Sequence, residues 1–128
     1  MKNTLCLLLL VSSAPTAAAG YRCIVERKVD FNHYEYTATQ LKKGQFSNLV
    51  EDTSEGTFVS RCSFSSIERK VTCDRYKMDR VDVDPHVKIQ KIYLFRSQFS
   101  IQIFPNLAFI EDNGRGSISY GQCQLITP

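Results

Sequence analysis

Four cysteines, Cys23, Cys62, Cys73 and Cys123, set the frame of this chain. Each lies in a stretch that reads as a β-strand. Four cysteines allow three pairings, and each pairing implies a different arrangement of strands. Placing Cys62 opposite Cys73 pairs Phe64 with Val71 and leaves Ser66-Ile67-Glu68-Arg69 as a four-residue hairpin loop. Facing residues on antiparallel strands have Cα separations that a disulfide accepts. Elimination then joins Cys23 to Cys123, and the inward parity of both agrees. That bond would close the first strand onto the last. A zinc site would prefer close C-x-x-C pairs, which do not occur here, so disulfides are the preferred reading.

Disulfides imply an oxidising compartment, and the N-terminus is consistent with export. Lys2 supplies a charged start, residues 5–11 an apolar core, and Ala17-Ala18-Ala19 a small-residue cleavage site. The apolar run is too short to span a bilayer, so no membrane span is expected. Cys6 sits near the start of that run, whereas a lipid anchor would place its cysteine at the cleavage point. The expected organisation is a signal peptide over residues 1–19 and one domain over residues 20–128, periplasmic or secreted. Without Lys2 the 16 basic residues fall to 15 against 13 acidic ones, and charges of both signs are interspersed. That balance gives no footprint for nucleic acid.

Residues 21–31 alternate, with Tyr21, Cys23, Val25, Val29 and Phe31 on one face and Arg27 as the polar interruption. Asn32-His33 reads as a turn, and Tyr34, Tyr36 and Ala38 as a second strand. Residues 42–56 read as loop, weak strand and loop. From residue 81 to 103 the odd positions are mostly apolar, through either a hairpin at Arg96-Ser97-Gln98 or one long bent strand. Pro85 cannot donate to a ladder and marks an edge or a break. Asn113-Gly114 predicts a type I′ hairpin pairing Phe109 with Ile118 and Leu107 with Tyr120. Parity slips near Gly121, which predicts a bulge there. No stretch holds a helical period over three turns. The expected fold is all-β: a small antiparallel β-barrel or sandwich of seven to nine strands, with two disulfides.

Candidate chemistry is sparse. Asp82, Asp84 and His86 have metal-ligand identities at spacing two, about 7 Å apart on a strand. The outer face of a strand explains them more simply, and no further ligand is placed. His33 could act as a base, but no nucleophile accompanies it. No serine sits in a G-x-S-x-G elbow, and Gly114-Arg115-Gly116 joins strands instead of opening a helix for phosphate. No catalytic residue and no cofactor is assigned. Arg115 follows the turn directly and offers a planar fork suited to a carboxylate. With Asn113 it forms the first candidate contact, and Ser54 and Glu55 in the residue 51–56 loop form the second.

Tyr21-Arg22-Cys23 and Cys123-Gln124-Leu125 resemble the ends of the small periplasmic inhibitors of C-type lysozyme. The resemblance implies an eight-stranded antiparallel barrel with a late cysteine bonded back to an early one. The family's Ser-Gly loop followed by a basic residue and Tyr is absent here, and the Cys62/Cys73 pair is additional. The functional expectation is a binding domain whose partner is a protein in the periplasm or outside the cell, such as a cell-wall hydrolase. The alternative is a carrier of a small apolar ligand in a barrel cavity. A hydrolytic enzyme is the third and weakest reading.

Overall fold

The computed structural model describes residues 19–126. The signal peptide expected at residues 1–19 therefore lies, apart from Ala19, outside the described residues. Nine strands form one antiparallel sheet: β1 (Gly20–Asp30), β2 (Ser47–Thr53), β3 (Gly56–Ser65), β4 (Lys70–Lys77), β5 (Arg80–Val83), β6 (Gln90–Leu94), β7 (Phe99–Ile103), β8 (Ala108–Asp112) and β9 (Ser117–Ile126). A short helix, α1 (Ala38–Gly44), joins β1 to β2. The strand order is β4-β3-β2-β1-β9-β8-β7-β6-β5, so first and last strands pair at the centre.

The edge strands β4 and β5 are neighbours in sequence, separated only by Met78 and Asp79. Such a link holds their ends within roughly 10 Å, at about 3.3–3.6 Å per residue. It is pinned on both sides: Met78 N–H donates to the Thr57 carbonyl at 2.8 Å, and Asp79 N–H donates to the Tyr93 carbonyl at 2.9 Å. No ladder joins β4 to β5, so the sheet is a curled half-barrel with a seam. Charged Lys70, Asp74, Arg75 and Lys77 on β4, and the brevity of β5, protect those edges from pairing with other chains.

Both disulfides have the expected partners, Cys23 with Cys123 and Cys62 with Cys73. Each pair stands directly opposite in its ladder. Cys23 and Cys123 lie in the core with Val25, Val50, Val59, Met78, Ile92, Leu94, Phe99, Ile101, Ile103 and Phe109. The Cys62–Cys73 bond lies on the convex face, because neighbouring Arg61 points inward.

Several local expectations need correction. The chain bulges between Val25 and Arg27, opposite Gly121 and Tyr120, so the extra residue belongs to β1 and not to β9. One added residue flips every side chain after it. Lys28 and Asp30 therefore share the concave side with Ser119 and Ser117, while Phe31 is 80% exposed. Arg27, which interrupted the apolar face, marked the flip.

The closing hairpin pairs Phe109 with Gly121 and Ile110 with Tyr120. Its loop is longer than a two-residue turn: Asn113 N–H donates to the Ser117 carbonyl, and Asn113 Oδ1 accepts from Arg115 and Ser117 N–H. Asn113 is not in the left-handed region, so the type I′ turn does not form. The register follows the ring of Phe109, which needs a residue without a Cβ opposite it. A Cβ on Gly121 would lie 2.7 Å from Phe109 Cε1 and 1.9 Å from the Ile24 carbonyl oxygen.

Residues 95–98 form a 3-10 turn and a left-handed Gln98, pairing Leu94 with Phe99. That even-length connection switches parity. Ile92 and Leu94 enter the core, and Tyr93 stacks on exposed Phe95 outside it. The strand expected at residues 34–38 contributes one isolated bridge, Val29 to Glu35. In its place Thr37 starts α1 with a capping box: Gln40 N–H donates to Thr37 Oγ1, and Thr37 N–H donates to Gln40 Oε1. Two turns are too few for periodicity to reveal, although Thr37-Ala38-Thr39-Gln40 carries the box itself. No helix among the described residues is long and apolar enough to cross a membrane.

Candidate functional site

Concavities lie on both sides of the sheet, and a further one of about 300 Å³ lies between Arg27, Phe31, His33 and Tyr120. The largest lies on the convex face of β1–β4. Register places Ile24, Ser47, Cys62 and Cys73 in one row across four strands, with Arg22 and Leu49 in the row beside it. Helix α1 stands over these rows and turns Ala38, Leu41, Lys42 and Gln45 toward them. That spacing of three, four and seven is one face of a helix. Together with Val71 and Phe46 they enclose a groove of about 760 Å³. Its floor is Ile24, Leu49, Val71 and the Cys62–Cys73 bond, and its rim is Arg22, Glu26, Lys42 and Gln45. Ile24 is 46% and Val71 41% exposed, so the apolar floor is open to solvent.

The second concavity lies on the inner side, where the curl brings β3 to face β7 and β8. Arg61 is the hinge of this region. Its Nε lies 3.4 Å from Glu111 Oε1, and its guanidinium stands 4.7 Å from the centre of the Phe99 ring. Glu111 is buried, as are Asn48 and Ser119. On one side of Arg61 a cavity of about 190 Å³ holds Lys28, Asn48, Ser63, Asp74 and Glu111. On the other side a pocket that opens to solvent at Arg96 and Arg115, also about 190 Å³, is lined by Arg61, Tyr76, Leu94, Arg96, Ser97, Phe99, Asn113 and Arg115.

Of the residues singled out in the sequence, Arg115 and Asn113 thus meet in one pocket. The hairpin that carries them is seated tightly. A Cβ on Gly114 would lie 2.2 Å from the Ser97 carbonyl oxygen, and Gly114 has φ +72°, so glycine is required twice over. Arg115 does not pair with Glu111 or Asp112. Among the described residues the ion pairs are Arg27–Glu35, Arg61–Glu111, Arg75–Glu51 and Arg80–Asp82. Ser54 and Glu55 form the exposed β2–β3 turn, at the Gly20 end of β1. The Arg115 hairpin lies at its Asp30 end, so the two loops project from opposite ends of an eleven-residue strand.

Asp82, Asp84 and His86 do not converge. Asp82 accepts from Arg80 Nε at 2.9 Å. Asp84 Oδ1 accepts from the backbone N–H of His86 and Val87, closing the turn that follows β5. Those two bonds, Val87 first, hold the Asp84 carboxyl below its ordinary value. Arg80 and Arg27 are held above theirs by the carboxylates hydrogen-bonded to them, Asp82 and Glu35. Among the described residues no three His, Cys, Asp or Glu side chains gather as a metal site would need. His33 occupies an exposed turn with φ 65°.

No family model matches this chain. No curated protein and no solved structure matches it either.

Arg61 and Arg96 escaped the sequence reading. Arg61 did leave a signal: it sits between Val59 and Ser63 on the inward parity of β3, where a charge needs a partner. Arg96 left none, because only the fold brings its turn against the closing hairpin.

Proposed function

We propose that this chain is an exported, disulfide-stapled binding domain, and that its ligand is a small molecule with an apolar body seated under α1. The observation that carries this reading is the groove. Its volume of about 760 Å³ falls within the range of small-molecule sites, about 300–1,000 Å³. Such sites join a mostly apolar lining to a few polar groups that orient the ligand. Here the floor accepts the apolar body, and Arg22, Glu26, Lys42 and Gln45 meet a polar end. The carrier reading thereby moves from the barrel interior, whose two cavities are about 190 Å³ each, to the larger groove on the convex face.

The test is fluorescence enhancement of the uncharged probe N-phenyl-1-naphthylamine, displaced by long-chain alcohols. Val71→Asp puts a charge on the floor at a half-open position. Saturable binding that Val71→Asp abolishes, with an unchanged melting temperature, supports the groove. Equal binding by both proteins rejects it.

A protein partner is the second reading, favoured by the rigid seating of the Arg115 hairpin. The resemblance at the chain's two ends supports a cell-wall hydrolase as that partner. Inhibition of a C-type lysozyme by the purified domain, lost in Arg115→Ala, would support it. Full lysozyme activity with the domain in excess would remove lysozyme from consideration.

A further inference from the structure

We propose that the pocket beneath the closing hairpin is a binding site for a dianionic phosphate group. Three arginines, half-buried Arg61 and solvent-exposed Arg96 and Arg115, line one pocket of about 190 Å³, and no acidic residue lines it. They come from three separate elements: β3, the 3-10 turn after β6, and the β8–β9 hairpin. Only Arg61 has a carboxylate, Glu111, at 3.4 Å. Arg96 stands 5.9 Å from the centre of the Tyr76 ring, and neither Arg96 nor Arg115 forms an ion pair among the described residues.

Three like charges around one pocket repel one another, weakly where water reaches exposed Arg96 and Arg115 and more strongly toward half-buried Arg61, and an entering anion relieves that repulsion. Two uncompensated positive charges match a phosphate group, which carries close to two negative charges near neutral pH. A monocarboxylate would leave one charge uncompensated. Arginine forks suit phosphate oxygens geometrically, and Ser97, Asn113 and Tyr76 add polar atoms to the same wall. The site is separate from the groove under α1 and needs no protein partner.

The phosphate is either the free ion or the head of a phosphomonoester. The experiment measures the melting temperature of the purified domain, disulfides intact, in low-salt buffer without phosphate. Inorganic phosphate, glycerol 3-phosphate and chloride at matched ionic strength are then titrated in. A saturable rise with phosphate beyond that with chloride is expected. Arg96→Ala and Arg115→Ala should each weaken the apparent affinity tenfold or more. Both should melt at or above the wild-type temperature in phosphate-free buffer, because each removes an uncompensated charge. Lys70→Ala, at the exposed start of β4 and outside the pocket, should leave phosphate affinity unchanged. Stronger binding of glycerol 3-phosphate than of the free ion identifies a phosphomonoester, and the reverse identifies the ion. The proposal is overturned if phosphate stabilises no more than chloride, or if the arginine variants melt lower while binding phosphate as the wild type does.

Discussion

Arg61 and Glu111 meet across the interior of the curled sheet, their side chains 3.4 Å apart. They are far apart in sequence and lie on strands that are not neighbours in the ladder. The Glu111 side chain is 5% exposed and that of Arg61 37%, so the acid is the buried partner. Removing the base leaves a buried carboxylate without its cation; because Arg61 is itself half-exposed, the loss lies between that of an exposed and of a buried pair, about 1–3 kcal/mol. Arg61→Ala should lower unfolding stability by that order, whereas Arg61→Met with Glu111→Leu should restore most of it. Urea unfolding of the three proteins decides this. Equal stability of Arg61→Ala and wild type would show that Glu111 is satisfied by water.

The two disulfides should differ in weight. Cys23–Cys123 spans 100 residues and Cys62–Cys73 spans 11. Chain-entropy arguments assign the long loop about 4–5 kcal/mol and the short one about 3. The Cys23→Ser/Cys123→Ser variant should therefore unfold at lower denaturant than the Cys62→Ser/Cys73→Ser variant. The long bond also lies in the core, where its loss leaves hydroxyls among apolar neighbours. The opposite order would show that the convex-face bond has a packing role through α1.

Gly121→Ala should be among the most damaging single-methyl additions. The new Cβ would meet the Ile24 carbonyl oxygen at 1.9 Å and Phe109 Cε1 at 2.7 Å. Overpacking of a filled core costs about 1–3 kcal/mol, and backbone contact leaves little freedom to relax. Combining Gly121→Ala with Phe109→Leu should not recover the loss, since the backbone clash persists. Full recovery would place the strain in the ring alone.

The turn after β5 should open in acid. Asp84 is held below 3.8 because its ionised carboxylate accepts two backbone N–H bonds. A folded value below the unfolded one means that its stabilisation is complete above about pH 4, the unfolded carboxylate value. It is lost as pH falls through the lower folded value. Protection of the His86 and Val87 amides, their exchange measured relative to an unstructured chain at the same pH, should fall in that window, and Asp84→Asn should flatten the dependence. Unaltered protection down to the lowest pH at which the domain stays folded would contradict the assignment.

Sequence alone determined what depends on neighbours along the chain. Alternation identified most of the strands, and the Cys62–Cys73 hairpin followed from pairing residues a short loop apart. The capping box at Thr37 was missed and its segment read as a strand, because the helix is too short to show a period. Tertiary structure decided which face became the core. Alternation has a period of two, so one extra residue or one odd slip exchanges inside for outside. The bulge after Val25, the four-residue connection at 95–98 and the Phe109–Gly121 register each made that exchange. Each was settled by packing against strands remote in sequence. The same holds for the arginine pocket. Arg61, Arg96 and Arg115 are separate surface-type residues in the sequence. They share one space only because a sheet with a two-residue link between its edges must curl until β3 faces β7 and β8.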